Sequence, residues 1–390
     1  MKKRFKKIIF PIWKFAYRLT ESALYPLNQL LAKIMRDQCC PNSVLHISYM
    51  VHIPYYTVKT LRRFGLRTDY LAIGTSKVWN KCDYNINYSL WPFIKAFQEF
   101  FWFWRVVAKY EIVHLHFMIL LSYSGWELPL LKKMGRKIVV HYRGCEIRNR
   151  DKIRQLYPSQ NICEQCDYNA VNCEHKEIFR KRQLAQKFGN SFVVTTPDLI
   201  DFVPEGIHLP FMIPEFDRCP STGPKEKQRE RTSFIKIVHA TNHPGIEGSE
   251  DIQKVIAALN RKGYRLNLVF LRGVSHDQVL NEFASADLAI GKMKMGYYAN
   301  AQIESMLLSV PTITYVRPQF MTEELKKSGF IFCSLKELPE VLEYYLTHPD
   351  EMQEKRKIAK KSILQLHDNE KIARTYIDLY KNLQSKETQG

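Results

Sequence analysis

The plainest pattern in the chain runs from Phe234 to Val316. Short apolar runs, IKIVHA, LNLVFL, ADLAIG and TITYV, alternate with segments whose apolar residues recur at helical spacing. Strand cores that are apolar throughout, rather than at every second residue, belong to sheets covered on both faces, and such sheets are parallel. The order strand, helix, strand, helix, strand, helix, strand therefore predicts a doubly wound α/β domain. Ligands of such domains bind beyond the carboxyl ends of the strands. The polar, glycine-containing segments His239–Ser249, Arg272–His276 and Lys292–Asn300 each follow a strand, so they are expected to converge on one crevice.

The amino half repeats the pattern. Strands are expected at Val44–Ser48, Tyr70–Ile73, Glu111–Phe117, Lys137–Tyr142 and Phe192–Thr195, with helices near His52–Phe64, Leu90–Lys109 and Tyr123–Met134 and an irregular polar stretch at 74–90. This is again βαβ order and predicts a second doubly wound domain. Residues 211–232 break the pattern with three prolines and a dense charge cluster, the signature of a linker. A short strand near Phe330–Cys333 and helices from about Leu335 to Leu383 complete the chain.

Charge narrows the partners. Across 390 residues there are 58 Lys and Arg against 39 Asp and Glu, a net charge of +19, which calls for an acidic partner. Nucleic acid is set aside, because no zinc-finger, RNP or homeodomain pattern is present. Residues 1–36 hold nine basic residues against one acid, Glu21, with Phe5, Phe10, Trp13, Phe15 and Tyr17 interleaved. That composition suits a helix lying on an anionic bilayer; the alternative is a helix packed on the first domain. No run reaches the ~20 apolar residues of a spanning helix, and Lys14 with the missing small-residue cleavage site argues against a signal peptide. A second aromatic block, FFWFWRVV at Phe100–Val107, is apolar nearly all round, so burial is expected, with contact to a lipid-linked acceptor as the alternative.

Nine scattered cysteines do not read as a disulfide framework and fit a reducing cytoplasm. Cys163, Cys166, Cys173 and His175 form C-x2-C-x6-C-x-H, a spacing that can make a closed structural zinc site; buried thiols, or a disulfide in an exported chain, are the alternatives.

The stretch Ile303–Thr314, IESMLLSVPTIT, preceded by the turn Gly296-Tyr297-Tyr298, resembles the donor-binding domain of retaining, family-4-type glycosyltransferases of the GT-B fold. Within them it is most similar to a bacterial subgroup with a Gly-aromatic-Tyr donor turn. Weaker similarity covers roughly Val44 to Leu383, including HYRGCEIR at His141–Arg148 and TTPDLIDFVP at Thr195–Pro204. The resemblance implies two Rossmann-like domains facing a cleft: an amphipathic segment 1–40, an acceptor domain 41–210, the linker 211–232, a donor domain 233–370 and a C-terminal helix 371–390 crossing back to the first domain. It also implies transfer of a sugar from a nucleotide diphosphate sugar to a hydroxyl of a glycan or lipid-linked acceptor, with no catalytic metal, in bacterial surface polysaccharide synthesis at the inner face of the cell membrane. A degenerate sugar-nucleotide or glycan-binding protein and a GT-B nucleotide-sugar epimerase are the alternatives.

Residue by residue, the resemblance makes Glu304 the acceptor for ribose hydroxyls, although a carboxylate near a helix start is also favoured by the helix dipole. His239 and Asn242 would line the donor site, and Gly296 would admit a close backbone approach, with Tyr297 and Tyr298 either flanking the sugar or packed as core aromatics. His141 would orient the acceptor or touch the sugar, and Arg143 and Arg148 suit phosphate oxygens. Three departures stand out, one of them Gly291-Lys292, where relatives often carry Asp-Gln. Gly296 replaces the first Glu of the Glu-x7-Glu motif, as in the subgroup. Glu247 stands where relatives carry a Lys that neutralises the diphosphate, so Arg272, Lys292 or Lys294 would have to supply that charge.

Overall fold

The computed structural model describes residues 2–76, 79–157, 161–168, 173–213 and 234–385, with side chains from residue 10 onward. The first domain is a seven-stranded sheet of β1 (Cys40–Tyr49), β2 (Arg67–Ile73), β3 (Tyr84–Ile86), β4 (Tyr110–His116), β5 (Lys137–Tyr142), β6 (Ser191–Val194) and β7 (Ile207–His208) in the order β3-β2-β1-β4-β5-β6-β7. The second is a five-stranded sheet of β8 (Ile235–Ala240), β9 (Leu266–Leu271), β10 (Leu288–Ile290), β11 (Thr312–Thr314) and β12 (Phe330–Phe332) in the order β12-β11-β10-β8-β9. Every pairing is parallel, as the unbroken apolar runs predict. Strands β3 and β7, with three and two residues, are edge strands too short to carry a pattern, and β3 falls in the stretch expected to be irregular.

Helices α1 (Lys2–Ile34), α2 (His52–Arg63), α3 (Pro92–Arg105), α4 (Glu127–Lys133), α5 (Arg150–Leu156) and α6 (Lys176–Phe188) belong to the first half. Helices α7 (Pro244–Glu247), α8 (Ser249–Arg261), α9 (His276–Ala284), α10 (Asn300–Leu307), α11 (Glu323–Lys326), α12 (Leu338–Thr347) and α13 (Pro349–Leu366) follow in the second. The last helix, α14 (Asn369–Ser385), returns to the first sheet, where Ile372, Ala373, Tyr376 and Tyr380 pack on Val44, Ile112, Val139 and Val193. The expected helix at Tyr123–Met134 is confined to Glu127–Lys133, because the chain turns at Gly125 with φ +79° before entering it. Of the expected linker 211–232, residues 211–213 are buried, with Ile213 held by Asn369; the remainder lies outside the described residues.

Helices α1 and α3 pack together with an inverted polarity. Their shared seam is polar: Tyr17 donates to Glu99, Trp104 Nε1 to Asn28 Oδ1 at 2.8 Å, and Trp13 Nε1 to the carbonyl of Leu90 at 2.7 Å. Many apolar residues of the pair point outward, while Ala32, Phe103 and Trp104 join the core. On α1 the outward residues include Ile12, Phe15 and Leu19, and on and beside α3 they are Trp91, Phe93, Ile94, Phe97 and Phe101. The aromatic block expected to be buried is thus split, with Phe103 and Trp104 in the core and a stripe left facing out. Burial between Glu99 and its neighbours pushes its carboxyl up to about 7.

Under α14 lies a ladder of buried imidazoles whose protons can be assigned in order. Arg143, which can only donate, reaches Nδ1 of His116 at 3.1 Å. His116 therefore donates from Nε2 to Nδ1 of His46 at 2.8 Å, and His46 from Nε2 to the Tyr380 hydroxyl at 3.4 Å. Tyr380 donates to Nδ1 of His114 at 2.7 Å, His114 to Nδ1 of His141 at 3.1 Å, and His141 to Thr195 Oγ1 at 2.8 Å. All four imidazoles are neutral. Burial, with the nearby Arg143 charge, lowers His46 to about 3 and holds His114, His116 and His141 well below their ordinary 6.5. His367, bonded to the carbonyl of Phe211 at 2.8 Å, is lowered by burial to about 4.

These shifts make the fold acid-labile. The unfolded chain takes protons on these residues as pH drops through 6.5, while the folded chain does not until near 3 for His46 and 4 for His367. Stability is full above pH 7 and is lost below it, at up to ~1.4 kcal/mol per pH unit for each histidine. Thermal melts between pH 7.5 and 5 are expected to show a Tm that falls steadily below pH 6.5; a Tm flat across that range would contradict the assignment.

Candidate functional site

A crevice of about 280 Å³ opens at the carboxyl ends of the second sheet. Thr241, Asn242 and His243 reach it after β8, Gly273, Val274 and His276 after β9, Lys292 after β10, and Ala299, Asn300, Ala301 and Glu304 from α10 and its approach. His52, at the first turn of α2, closes it from the other domain. The convergence of three post-strand segments follows from the topology, since parallel strands deliver their carboxyl ends to one edge.

Glu304 is the centre of its polar wall. It is 3 % exposed, and its Oε1 accepts from His276 Nε2 at 2.9 Å, with His52 Nε2 at 3.9 Å. The rings of His52 and His276 stack with centroids 5.2 Å apart. Burial works against a charge on His276, but the hydrogen bond and charge of Glu304 prevail and raise its pKa. Burial lowers His52 in spite of Glu304, and Asn300 Nδ2 donates to its Nε2 at 3.4 Å, which fixes that nitrogen as an acceptor. Of the two rings, His276 is therefore the one whose charged form Glu304 favours.

Lys292 Nζ lies 3.5 Å from Glu247, so the reversed charge at Glu247 is answered within the crevice. Lys294 is engaged elsewhere, with Asp251 at 2.7 Å and Gln165 at 2.6 Å. The early backbone N–H groups of α10 stand at the crevice rim, where a helix start favours anionic groups. Asn242 Oδ1 accepts from Gly273 N–H at 3.2 Å and ties two of the lining loops together.

Of the residues singled out in the sequence, Asn242, Glu247, Lys292 and Glu304 line the crevice; the others do not. Arg272 is exposed and outside it. His239 is fully buried, donating from Nδ1 to the carbonyl of Ile290 and accepting at Nε2 from Ser249, both at 2.7 Å. His141 is a rung of the buried ladder with both nitrogens occupied, so it meets neither sugar nor acceptor here. Arg143 is spent on His116, and Arg148 is buried against Asp198 at 2.5 Å. Gly296 takes φ +84° because the Arg317 side chain lies where a Cβ would be. Tyr298 is a core aromatic bonded to His367 at 3.0 Å, with Tyr297 stacked on it at 4.5 Å.

Two contributors, His52 and His276, escape a reading by motif. The available signal was position alone, since each follows the end of a strand. The metal set proposed around Cys163 also changes: these cysteines share a small cavity with Cys145, whereas His175 is exposed and caps α6 by accepting from Glu177 N–H. Among the described residues, the ligand atoms of His46, His114 and His116 lie within 4.8 Å of one another, but every ring nitrogen there is already in the hydrogen-bond ladder. A larger cavity, about 490 Å³, sits at the opposite ends of the first-sheet strands, near Cys40, Arg67 and Tyr110, remote from this crevice.

Two parallel doubly wound sheets with a crevice at their carboxyl ends and a terminal helix crossing back define the GT-B fold. Sucrose-phosphate synthase from Thermosynechococcus elongatus superposes with a TM-score of 0.59 at 13% identity over 88% of this chain and 100% of that one. The catalytic domain of starch synthase IV from Arabidopsis thaliana, bound to ADP and acarbose, gives 0.58 at 11% identity, covering 88% and 99%. HepE from Anabaena, in complex with UDP-glucose, gives 0.53 at 10% identity, covering 87% and 99%. No model of a known protein family and no curated protein sequence matches the chain.

The His276–Glu304 pair has a direct check. Glu304→Gln removes the charge that holds the His276 proton and leaves the burial that opposes it, so the His276 pKa is expected to fall. An imidazole NMR titration of the variant against the parent reads this; an unchanged or higher value would refute the pairing.

Proposed function

We propose that this chain is a glycosyltransferase that moves a sugar from a nucleotide diphosphate sugar to a hydroxyl group. The observation that carries this reading is Glu304, a buried carboxylate in the second turn of α10, on the wall of a crevice of about 280 Å³ between two domains. Its Oε2 can accept ribose hydroxyls while Oε1 holds His276. The rim of α10 and Lys292 suit a diphosphate. In its charged form His276 adds positive charge where a leaving diphosphate gains negative charge. Donor complexes of proteins with the same fold, HepE with UDP-glucose and starch synthase IV with ADP, support a nucleotide in this crevice. Retention at the anomeric carbon follows the family resemblance.

The acceptor in this reading is a glycan on a membrane lipid, as in bacterial surface polysaccharide synthesis at the inner face of the cell membrane. No helix among the described residues is long and apolar enough to cross a bilayer. The outward apolar stripes of α1 and α3, next to the basic amino-terminal segment, suit a helix pair lying in the interface of an anionic membrane.

One observation favours a second reading, a nucleotide-sugar-binding protein without turnover. Lys292 is the only Lys or Arg among the described residues lining the crevice, and it is paired with Glu247. Turnover separates the two. A panel of UDP-, ADP-, GDP- and dTDP-sugars is expected to raise the Tm for one nucleotide, by the equivalent of about 2.7 kcal/mol at a hundredfold excess over Kd. Glu304→Ala is expected to abolish that shift. Nucleotide release with a lipid-linked acceptor would establish transfer; binding without release across the panel would favour the second reading, and no binding would refute both.

Membrane association is read by co-sedimentation with vesicles. Binding to anionic vesicles is expected, weakening with salt and absent on neutral ones. Replacing the exposed pair Phe93 and Phe97 by Ser is expected to weaken it about tenfold or more, since each loses a membrane-buried ring worth about 1.5–3 kcal/mol. Equal binding by the variant would rule out α3 as a contact.

A further inference from the structure

We propose that Cys145, Cys163, Cys166 and Cys173 together hold one zinc ion, and that the ion pins the loop by which the first domain grips the second. The four cysteines come from the turn after β5 and from the segment between α5 and α6, and they line one cavity of about 10 Å³. That is room for about one water-sized sphere. The rest of its wall is Ile153, Ile162, Ile246, Tyr168, Arg148 and Arg150. Four thiols around one pocket offer the sulfur ligand set of a structural zinc site, with no open position for chemistry.

Zinc bound by four thiolates carries a net charge of −2, and two guanidinium groups stand in the wall, each also held by a carboxylate: Arg148 by Asp198 at 2.5 Å and Arg150 by Glu174 at 3.4 Å. Arg148 Nη1 lies 3.8 Å from Cys145 Sγ. Arg150 Nε is buried with no hydrogen-bond partner among the described residues, and an N–H facing thiolate sulfur would satisfy it. On binding, the four thiols release their protons to solvent as four Zn–S bonds replace the ion's water ligands. The sulfurs are not drawn as close as the imidazoles of His46, His114 and His116, and bonds of ~2.3 Å would contract them around the ion.

What the ion would secure is a clamp. Asp167, one residue past Cys166, accepts from Gly245 N–H at 2.8 Å and Ile246 N–H at 3.3 Å, capping α7 in the other domain. Tyr168 pairs with His243 Nε2 at 2.5 Å, and Gln165 takes the Lys294 ammonium at 2.6 Å. The backbones approach so closely that a Cβ on Gly245 would overlap the Gln165 carbonyl. His243 lines the crevice, so the clamp sets one wall of it. The described residues of the cysteine loop have little regular structure and a small core of their own, and coordination would supply the rigidity that their hydrogen bonds need.

The test is metal analysis of the purified full chain. About one zinc per chain is expected, lost in Cys145→Ser and in Cys163→Ser and retained in His175→Ala. Because a serine variant can fail to fold, the unmutated chain is also loaded with cobalt. Sulfur-to-cobalt charge-transfer absorption of four-thiolate strength, with tetrahedral d–d bands, is expected. Stripping the ion should speed hydrogen exchange at the Gly245 and Ile246 amides about tenfold or more, a readout that does not depend on any enzyme activity. A chain that binds neither metal, a disulfide among these cysteines in protein purified under reducing conditions, or loss of zinc in His175→Ala but not Cys145→Ser would each overturn the proposal.

Discussion

The Tyr380 hydroxyl, held between His114 and His46, is the contact on which the rest of the architecture turns. A parallel sheet must be covered on both faces, because its strands are apolar on both. In the first domain one of those covers comes from the far end of the chain. Helix α14 lies on β1, β4, β5 and β6 only after the chain has built the whole second domain, so neither domain is complete in isolation. Tyr380 does more than fill space there. It is the link that lets a run of hydrogen bonds pass from Arg143 through four neutral imidazoles to Thr195, with every nitrogen satisfied. Without it, His46 and His114 would each keep a buried nitrogen unpaired, at a cost of about 1–3 kcal/mol apiece.

That interior ladder also decides where the polar chemistry can be. A histidine at the end of a strand has two fates, and the difference lies in which face of the sheet its side chain joins. His141 and His239 join the buried faces and become ties between elements. His52 and His276 begin helices just beyond the strands and stand in the crevice, where they share Glu304 across the two domains. The crevice is thus lined by groups from both domains, with the His276–Glu304 pair on one side and His52 on the other.

What could be read from the sequence follows the same division. The strand cores and their parallel arrangement were legible, because an apolar run is a direct record of burial on both faces. The positions of Asn242, Lys292 and Glu304 were legible too, since each lies in a segment that topology carries to the crevice. The edge strands β3 and β7 were not, being too short to hold a period. The fates of His141, Arg143 and Arg148 were hidden because a polar residue in a promising motif looks alike whether it faces solvent or a buried partner. Cys145 was missed for a different reason. It lies eighteen positions before Cys163, and nothing in the spacing says that β5 delivers it beside the C-x2-C pair.

The aromatic block of α3 shows the limit most plainly. Helical spacing reports that residues are apolar all round, but not whether the medium on each side is protein or something else. The packing of α1 answers by elimination. A helix that docks on a protein core normally buries its apolar face, and α1 instead buries Tyr17, Thr20 and Asn28 against Glu99 and Trp104 while presenting Ile12, Phe15 and Leu19 to the outside. In water this arrangement is the wrong way round, because the pair gives up hydrophobic burial and must desolvate Glu99 as well. The membrane contact proposed above would make it favourable, since the outer face would then meet an apolar medium and the polar seam would be the part that most needs shelter. On that proposal the buried hydrogen bonds and the exposed rings would be two consequences of one environment, with the basic amino-terminal segment matching the sign of its charge.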